Sequence, residues 1–531
     1  MNNTGKRLAF LLEAAGLSCD REAGRILVDS VTADSREVEP GCLFIALSGA
    51  VHNGHDYIRE AIGKGCAVVL SEKEPASPLE VPVVTVPDTR EALGYIAAAF
   101  YGFPAEEAVM IGITGTNGKT TSGWLLESVL KKAGCIPGVI GTVNVRFPGE
   151  ERHGQLTTPG PLELQKILRE MVDRGVSHVV MEVSSHALQQ KRVNGLNFDL
   201  ALFTNLSRDH LDYHPDMDAY FEAKKKLFSR YLKSSGTAVI HLETGFSVFG
   251  RNDELVENNS TGSRWGEKLS VFLEELNCCR IITCGIGRGE VQAVNPDYSL
   301  NGIRAKIITP EGVFYLESSL VGEFNLTNLT GVAGCGFALG LSAEGIRLGL
   351  KELKTIPGRL ERLDEGPLIF IDYAHTPDAL EHVLTTLRPL VEKRLIVVFG
   401  CGGDRDKGKR PLMGEVAGRL GDVIVLTSDN PRSEDPENIL EDIEKGLSGQ
   451  PVHRADCGLT YLRVQSEKGV YSIVQDRGRA IKEVIAFSQP GDVVVICGKG
   501  HESYQTGRLG TVFFNDRLEA IRALNRVDQT C

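Results

Sequence analysis

Apolar runs alternate with stretches of helical periodicity along most of this chain. Residues 7–17 predict an opening amphipathic helix, and short apolar runs at 67–70 and 81–86 alternate with helical patterns before a linker at Tyr101-Gly-Phe-Pro104. From residue 109 the pattern becomes strand, glycine loop and helix, typical of repeated βαβ units around a parallel sheet. The further strands predicted there cover residues 139–145, 176–183 and 200–205.

A third series of apolar runs predicts another doubly wound α/β unit. Its expected strands are residues 368–372, 395–400, 423–428 and 493–497, separated by helix-length stretches. We therefore expect an α/β protein of three domains, with boundaries at 1–103, 104–354 and 355–531. The polar, turn-rich residues 244–263 lack periodicity and are expected to form a surface insertion in the central domain.

Composition narrows the functional class. A chain of 531 residues suits about three domains at roughly 150 residues each. The net charge of -12 argues against sequence-independent nucleic-acid binding, which needs a basic field. The 12 cysteines form no CxxC pair, and residues 7–17 are too short to span a membrane and lack a cleavage site. We expect a cytoplasmic protein with reduced thiols and no membrane insertion.

The first chemical motif is a phosphate loop. Met110-Ile-Gly-Ile-Thr-Gly-Thr-Asn-Gly-Lys-Thr-Thr121 follows an apolar strand and precedes a helical pattern that begins near Ser122. Its glycines allow backbone N–H groups to converge on phosphate, Lys119 adds charge, and Thr120 offers a hydroxyl to Mg²⁺. Ile113 stands where the strict pattern has glycine. By itself the motif is compatible with a kinase, a GTPase-like switch or a ligase.

Two further polar segments follow predicted strands. Met181-Glu-Val-Ser-Ser-His186 places Glu182 at a strand end, and residues 204–214 place His210 after another strand. Open α/β sheets bind ligands at the carboxyl ends of their strands. One carboxylate and one imidazole beside a Mg-triphosphate are suitable cation ligands.

Together these motifs resemble the Mur ligases of peptidoglycan synthesis. The resemblance covers all three expected domains in order and is carried by Gly115-Thr-Asn-Gly-Lys-Thr-Thr121, Thr157-Thr-Pro159, Met181-Glu-Val-Ser-Ser-His-Ala-Leu188, Asn205-Leu-Ser-Arg-Asp-His-Leu-Asp-Tyr-His214, Gly322-Glu-Phe-Asn-Leu-Thr-Asn328, Pro357-Gly-Arg-Leu-Glu361, Asp372-Tyr-Ala-His-Thr-Pro377, Gly400-Cys-Gly-Gly-Asp-Arg-Asp-Lys407, Asp429-Asn-Pro-Arg432 and Gly498-Lys-Gly-His-Glu502. The insertion at 244–263 departs from the family's shorter connection.

The resemblance implies a UDP-substrate-binding first domain, a central P-loop ATPase domain and a C-terminal Rossmann-like domain that binds an amino acid. It implies an ATP-dependent, ADP-forming amide ligase acting in cell-wall synthesis, and hence in cell shape and division. Such a ligase adds a third amino acid to the D-glutamate side-chain carboxylate of UDP-N-acetylmuramoyl-L-alanyl-D-glutamate through an acyl phosphate. The expected cofactors are Mg²⁺ and ATP as co-substrate, the expected partners are these small molecules and the acceptor, and we expect a monomer.

The resemblance also implies a set of site residues. The catalytic group is expected to be Lys119, Glu182, His210 and Lys224. Thr120, Glu182, His210 and Lys224, the last as N6-carboxylysine, are expected to hold metal. ATP is expected to contact Gly115, Thr116, Asn117, Gly118, Lys119, Thr120, Thr121, Asn325, Asn328, Arg359 and Asp372. The UDP substrate is expected to contact Ser35, Ala50, Val51, His52, Thr157, Thr158, Ser184, Gln190 and Arg192.

The third domain is expected to select the acceptor. Arg432 follows a predicted strand, where a guanidinium can grip a carboxylate bidentately. Meso-diaminopimelate has a second carboxylate at its far end and lysine does not, and lysine-adding relatives lack this arginine. The expected diaminopimelate contacts are therefore Arg405, Asp429, Asn430, Pro431, Arg432, Gly498 and Glu502.

Four other interpretations stay open at this point. The chain could be a lysine-adding ligase of the same family, a ligase like folylpolyglutamate synthase, or a nucleotide-dependent regulatory protein without turnover. Arg432 could instead form a surface salt bridge with Glu434 or Asp435.

Overall fold

Three main sheets follow one another along the chain, as the sequence predicts. The computed structural model describes residues 5–49, 52–75, 77–154, 156–211, 213–242, 247–249, 255–257, 265–363, 367–455 and 469–527. Within these residues the three sheets have four, eleven and seven strands. The expected α/β class is confirmed, and the domain boundaries stay a prediction.

The first region is built on the four-stranded sheet, whose strands are all parallel and lie in the order β3-β4-β5-β6. The strands of the first region are β1 (Lys6–Arg7), β2 (Leu27–Val28), β3 (Ser30–Thr32), β4 (Cys42–Ile45), β5 (Val68–Ser71) and β6 (Val83–Thr85). Its helices are α1 (Leu8–Ala14), α2 (Ile58–Gly63) and α3 (Thr89–Phe100), with 3₁₀ turns at Ala23–Arg25, Ser35–Glu37, Gly54–Tyr57 and Pro104–Glu106. Helix α1 is shorter than predicted because Ala15 and Gly16 close its last turn on Leu12 and Glu13.

The central region contains the eleven-stranded sheet, in the order β10-β9-β8-β11-β7-β12-β13-β16-β17-β18-β19. Its strands are β7 (Val109–Thr114), β8 (Pro137–Ile140), β9 (Val145–Phe147), β10 (Glu150–Arg152), β11 (His178–Glu182), β12 (Phe198–Phe203), β13 (Leu232–His241), β14 (Ser247–Phe249), β15 (Leu255–Glu257), β16 (Arg280–Ile286), β17 (Val291–Ser299), β18 (Gly302–Thr309) and β19 (Gly312–Ser318). Its helices are α4 (Lys119–Lys132), α5 (Pro161–Asp173), α6 (Ser185–Gln189), α7 (Met217–Ser229), α8 (Trp265–Leu276), α9 (Glu323–Ala338) and α10 (Ala343–Glu352).

This sheet differs from the prediction at its two ends. The single strand expected over 139–145 is two antiparallel strands, because Gly141 N–H bonds to the Asn144 carbonyl and reverses the chain. At the other end β17, β18 and β19 form an antiparallel meander that periodicity did not reveal. Of the predicted insertion at 244–263, the structure describes β14 and β15, an antiparallel pair; its other residues lie outside the described ranges.

The C-terminal region contains the seven-stranded sheet, in the order β20-β21-β26-β22-β23-β25-β24, parallel except for the β20 edge. Its strands are β20 (Glu361–Leu363), β21 (Leu368–Asp372), β22 (Leu395–Phe399), β23 (Val423–Leu426), β24 (His453–Arg454), β25 (Val470–Ile473) and β26 (Val493–Cys497), and a separate hairpin is formed by β27 (Tyr504–Gly507) and β28 (Gly510–Phe513). Its helices are α11 (Pro377–Leu387), α12 (Lys409–Leu420), α13 (Pro436–Leu447), α14 (Arg477–Phe487) and α15 (Asp516–Val527), with a 3₁₀ turn at Arg388–Leu390.

Both large sheets are covered on both faces, which explains why their central strands are continuous apolar runs. In β7, Met110 packs into one buried cluster while Ile111 and Ile113 pack into the cluster on the opposite face. The polar positions of these strands are therefore left to their carboxyl ends, where Glu182 closes β11 and Asp372 closes β21. In the described residues we find no helix long and apolar enough to cross a membrane.

The first and central regions meet in a close contact between α3 and the loop after α6. A Cβ added to Gly94 would lie 2.5 Å from the Asn194 Cβ, and one added to Gly195 would lie 2.6 Å from the Gly94 carbonyl oxygen. Beside this contact, Lys191 donates to Asp88 and Glu91 at 2.5 and 2.6 Å. The backbones touch there because neither glycine carries a side chain.

Candidate active site

The phosphate loop joins β7 to α4 and is braced by the loop after β12. Thr116 N–H bonds to the Asn205 carbonyl, Asn117 N–H donates to Asn205 Oδ1 at 3.0 Å, and Thr204 Oγ1 donates to the Asn117 carbonyl at 2.6 Å. Gly118 has φ of 82° and caps α4, so the helix begins at Lys119 rather than near Ser122 as predicted. The loop's remaining predicted residues, Gly115, Thr120 and Thr121, are buried.

Glu182 is the centre of a hydrogen-bonded path that leaves the phosphate loop. Its Oε2 accepts from Thr120 Oγ1 at 3.1 Å and from Thr142 Oγ1 at 2.9 Å, while its Oε1 accepts from Thr142 N–H at 3.1 Å. Thr142 Oγ1 in turn lies 3.0 Å from Thr157 Oγ1, and Thr158 Oγ1 donates to the Glu182 carbonyl at 2.8 Å. The predicted nucleotide, metal and dipeptide residues are thus connected without a break.

Two lysines share one backbone oxygen behind the loop. Lys119 Nζ donates to the Gly115 carbonyl at 2.9 Å and to the Thr116 carbonyl at 2.8 Å, and Lys224 Nζ donates to the same Gly115 oxygen at 2.8 Å. Burial lowers the pKa of both amines, and the neighbouring Lys119 charge lowers the pKa of Lys224 further. Lys224, which is 1% exposed, therefore lies in the environment that favours a neutral amine.

Lys224 and His210 approach the same aromatic ring. Lys224 Nζ lies 4.5 Å from the centroid of Tyr220, and the His210 ring lies edge-on to Tyr220 at 6.0 Å. His210 has φ of 54°, a conformation that non-glycine residues seldom adopt, and its N–H donates to Asp209 Oδ1 at 2.8 Å. The His186 ring packs against His210 at 4.9 Å. The exposed His210 is thus oriented by its backbone and by its neighbours.

The predicted adenine-side asparagines lie on α9, next to the phosphate loop. Asn325 Nδ2 donates to the Val321 carbonyl at 2.9 Å, and Asn328 Nδ2 donates to Asn325 Oδ1 at 3.4 Å. Asn328 Oδ1 lies 2.2 Å from where a Cβ on Gly118 would stand, which ties this helix to the loop. Both asparagines are buried inside the helix, whose N-cap is Gly322, so neither caps it, and their contact with an adenine stays a prediction.

Arg359 and Asp372 lie near each other in the C-terminal region, and the Arg359 charge contributes to lowering the pKa of Lys119 on the phosphate loop. Asp372 accepts from Leu360 N–H at 2.7 Å and Ala374 N–H at 2.8 Å, and burial raises its pKa. The Arg359 guanidinium lies 5.4 Å from the Tyr373 ring centroid, and its buried Nε has no hydrogen-bond partner in the described part of the chain. A buried guanidinium nitrogen without a partner fits a site for an anion.

The predicted UDP-substrate residues fall into two groups. Arg192 donates to the Thr158 carbonyl at 2.9 Å and to Gln190 Oε1 at 2.7 Å, and Thr158 Oγ1 donates to the half-buried Ser184 Oγ at 3.4 Å. The other group is in the first region, where the Ser35 carbonyl accepts from Lys64 at 2.8 Å and His52 is exposed. Ala50 and Val51 lie outside the described residues. Within the described ranges, no hydrogen bond joins the two groups.

The predicted acceptor residues converge at the carboxyl ends of β23 and β26. Asn430 Nδ2 donates to Glu502 Oε2 at 3.0 Å, and a Cβ on Gly498 would lie 3.0 Å from Asp429 Oδ2. The Pro431 carbonyl accepts from Glu434 N–H at 3.1 Å, which turns the loop that carries Arg432. These residues form one polar site on the C-terminal sheet.

Arg432 is held in that loop by two hydrogen bonds, in a backbone conformation that non-glycine residues seldom adopt. Its φ is 52°, its N–H donates to the Thr506 carbonyl at 2.9 Å, and its Nη1 donates to the Gly403 carbonyl at 2.7 Å. Glu434, one alternative partner, instead pairs with Arg410 at 2.9 Å. Arg405 is exposed at the rim of the same site. Glu434 is therefore engaged by another arginine, and the binding role of Arg432 stays a prediction.

Several residues of this site were missed by sequence reasoning. Thr142 lies in no quoted motif and could not have been found, because its role depends on the turn between β8 and β9. Asn205, Asp209 and Lys499 stand inside quoted motifs but were given no role. Lys499 carried the clearest sequence signal, since it is a lysine directly after an apolar strand and strand ends form the site.

Comparison with known proteins decides the family. A family model described as Mur ligase middle domain matches residues 113–336, flanked by matches to the Mur ligase family catalytic domain at 27–101 and to the Mur ligase glutamate ligase domain at 358–500. A curated protein of Geobacter metallireducens named "UDP-N-acetylmuramoyl-L-alanyl-D-glutamate--2,6-diaminopimelate ligase" is 40% identical over 95% of this chain and 96% of its own.

The chain belongs to the Mur ligase family. A Gloeobacter violaceus protein with the same name as the Geobacter one is 41% identical over 98% of each chain. A solved structure of a protein so named is 31% identical, covers 98% of this chain and 100% of its own, and has a TM-score of 0.69. The resemblance inferred from the motifs is confirmed, and with it the expectation of an ATP-dependent, ADP-forming amide ligase.

Proposed function

We propose that this Mur ligase adds meso-2,6-diaminopimelate to the D-glutamate side-chain carboxylate of UDP-N-acetylmuramoyl-L-alanyl-D-glutamate, in peptidoglycan precursor synthesis. The observation that carries the proposal is the unbroken path from Thr120 through Glu182 and Thr142 to Thr157. This path would bring the end of a bound triphosphate next to the residues proposed to hold the dipeptide, as phosphoryl transfer to a carboxylate requires. The names of the full-length relatives support the same substrate and acceptor.

The residues around Glu182 fit a magnesium site. Thr120 Oγ1 and Glu182 Oε2 are adjacent oxygen donors 3.1 Å apart, and Mg²⁺ in phosphate-transferring sites is held by one or two carboxylates together with substrate phosphates and water. Among the described residues no cluster of three His, Cys, Asp or Glu side chains forms a protein-only metal cage, which agrees with that mode. A bound Mg²⁺ would supply electrostatic stabilisation of the charge that develops on the phosphoryl oxygens.

Lys224 is proposed to complete a second metal position with His210 after carbamylation. The reaction with CO₂ needs an unprotonated amine, and burial together with the Lys119 charge favours that form at Lys224. Carbamylation joins the amine nitrogen to the CO₂ carbon, releases one proton and leaves an anionic carboxylate in place of a cation. The product is an oxygen donor of the kind that Mg²⁺ prefers.

The chain's own groups then account for activation and coupling. Lys119, on the phosphate loop, would neutralise the charge of a bound phosphate, and the backbone N–H groups at the start of α4 would donate to its oxygens. The D-glutamate carboxylate becomes a good electrophile once its oxygen carries phosphate. The amine of the acceptor then attacks the acyl carbon, a C–N bond forms, the C–O bond to the phosphate breaks, and inorganic phosphate leaves while the nitrogen gives up a proton.

The acceptor site is proposed to recognise both ends of diaminopimelate. Arg432 and Arg405 suit its carboxylates, and Glu502, with Asn430, suits its distal ammonium. Lysine lacks the distal carboxylate and would leave Arg432 without its ligand.

The test is acceptor-dependent ADP release by the purified protein with Mg-ATP and the UDP-muramoyl dipeptide. We expect turnover with meso-diaminopimelate and little with L-lysine. Omitting the dipeptide should abolish turnover, which controls for background ATP hydrolysis. Equal rates with both amino acids would refute the acceptor assignment and keep the ligase. ADP release that needs neither the dipeptide nor an amino acid would refute the reaction and favour a regulatory nucleotide hydrolase.

A further inference from the structure

Lys499 is a buried cation in the proposed acceptor site that the reaction described above does not use. It lies two residues after the end of β26, between Gly498 and Gly500, which both have positive φ. Its side chain is 0% exposed. An ammonium taken out of water is costly unless charged or polar partners surround it, so its contacts define its role.

Those contacts are the polar residues of the acceptor site. Lys499 Nζ donates to Asn430 Oδ1 at 3.1 Å and to Glu502 Oε2 at 3.0 Å, and lies 3.5 Å from Asp429 Oδ1. The ammonium therefore stands between two carboxylates that would otherwise face each other across a buried site. It is held behind them, away from solvent, rather than at the rim where a ligand enters.

The same contacts orient Asn430 and Glu502 relative to each other. Asn430 Oδ1 also accepts from Thr506 N–H at 2.9 Å, and Asn430 Nδ2 donates to Glu502 Oε2. Lys499, Asn430 and Glu502 thus form a closed triangle of hydrogen bonds. Because two donors occupy Asn430 Oδ1, its amide nitrogen is directed at the carboxylate, and Glu502 is fixed through the one oxygen, Oε2, that both neighbours share.

We propose that Lys499 is a positioning residue that holds Glu502 ready for the distal ammonium of a diamino diacid acceptor. The inference rests on the proposed function and adds to it the residue that sets recognition of the distal amine. Fixing Oε2 from behind leaves the other carboxylate oxygen, Oε1, to accept from the ligand. Loss of Lys499 would free the Glu502 side chain and leave two carboxylates without the cation between them.

The experiment compares two acceptors in the Lys499→Met variant. Meso-diaminopimelate carries the distal ammonium, and L-2-aminopimelate has hydrogen in its place, so the ratio of their kcat/KM values measures recognition of that one group. We expect the variant to lose about 10- to 100-fold in kcat/KM with diaminopimelate, mainly through KM, the effect of a lost charge-assisted hydrogen bond. With L-2-aminopimelate we expect a change below about threefold, and no change in the KM for ATP.

Lys482→Met is the matched control, since Lys482 is an exposed lysine on α14 of the same region. It should leave the ratio of the two acceptors at the wild-type value. Lys499→Gln is the second variant, because it keeps an N–H donor for Asn430 without the charge and is scored by the same ratio if Lys499→Met does not fold. We expect it to give an intermediate ratio.

Two results would overturn the inference. An equal fall in kcat/KM with both acceptors would assign Lys499 a merely structural role, and wild-type kcat/KM values with both acceptors in both variants would assign it none. Failure of the proposed function is distinguishable, because the wild-type protein would then release no ADP in response to either acceptor.

Discussion

The ion pair between Arg477 and Asp516 offers the sharpest test of how the C-terminal region is held together. Arg477 begins α14, Asp516 begins α15, and both side chains are 0% exposed. Arg477 Nε and Nη2 each donate to an Asp516 oxygen at 2.7 Å, and Nη2 also donates to the Cys497 carbonyl at 2.9 Å. The pair therefore fastens the last helix to the end of β26, one residue before Gly498.

The perturbation is Arg477→Met, which leaves the Asp516 carboxylate buried without its cation. Breaking a buried pair in this way costs about 3–5 kcal/mol. Since about 1.4 kcal/mol corresponds to a tenfold change in an equilibrium constant, opening of α15 should become roughly 100- to 4,000-fold more frequent. Replacing both partners, as in Arg477→Met with Asp516→Leu, should restore much of this loss because no buried charge is left.

The assay is amide hydrogen exchange of peptides from α15, compared with peptides from α4 in the central region. Arg479→Met is the matched control, because Arg479 lies two residues away and pairs with Glu483 on the surface, where its side chain is 71% exposed. We expect the control to exchange like the wild type. If α15 exchanges at the same rate in both variants, the buried pair does not hold the helix and the reasoning is wrong.

The other predictions concern the site and the pH dependence of stability. Glu182→Gln should lower kcat by at least about 100-fold in the ADP-release assay and change the Kd for ATP less. The reason is that the carboxylate is needed to stabilise the charge that develops during phosphoryl transfer. Gly118→Ala should abolish ATP binding measured by calorimetry, since its Cβ would lie 2.2 Å from Asn328 Oδ1 at a φ of 82°. Arg432→Ala should raise the KM for diaminopimelate about 10- to 100-fold and leave the KM for ATP unchanged. An unchanged KM for diaminopimelate would contradict the assignment of Arg432 to the acceptor site. Burial lowers the pKa of His241 to about 4. As the pH falls, the unfolded chain, with a histidine pKa near 6.5, takes up a proton before the folded chain does. The stability that comes from keeping His241 neutral is therefore complete above about pH 6.5 and is lost as the pH falls toward about 4. His241→Leu should therefore weaken the dependence of the melting temperature on pH over that range, as measured by thermal unfolding monitored through tryptophan fluorescence.

Much of the fold follows from the local pattern because parallel strands buried on both faces must be apolar. The strands at 368–372 and 493–497 coincide with the structure for this reason. Strands that alternate exposed and buried residues, such as β19, were not predicted. Their alternation of apolar and polar residues gives a weaker signal than a continuous run of apolar residues. Their pairing depends on neighbours that are remote in the sequence.

The site divides in the same way. Lys119 and Glu182 could be predicted as site candidates because each stands at a fixed offset from a strand end or a glycine turn, whereas Asp372 was implied only by the family resemblance. The contacts of Thr142 and Lys499 could not, because each depends on two loops from different strands meeting at one edge. The start of α4 was placed three residues late because the cap formed by Gly118 needs a backbone angle that a residue pattern does not report.

The contact between Gly94 and Gly195 restricts where this protein can be cut into fragments and which substitutions it can accept. A single substitution at either position needs the two backbones to separate, so neither glycine can be exchanged without a compensating shift in the other segment. A fragment beginning after α3 would also remove the Glu91 carbonyl, which accepts from Asn194 Nδ2 at 3.1 Å. The same fragment would leave Lys191 without its two acidic partners. The first hundred residues and the central region should therefore be kept together in any fragment of this protein, although each has its own sheet.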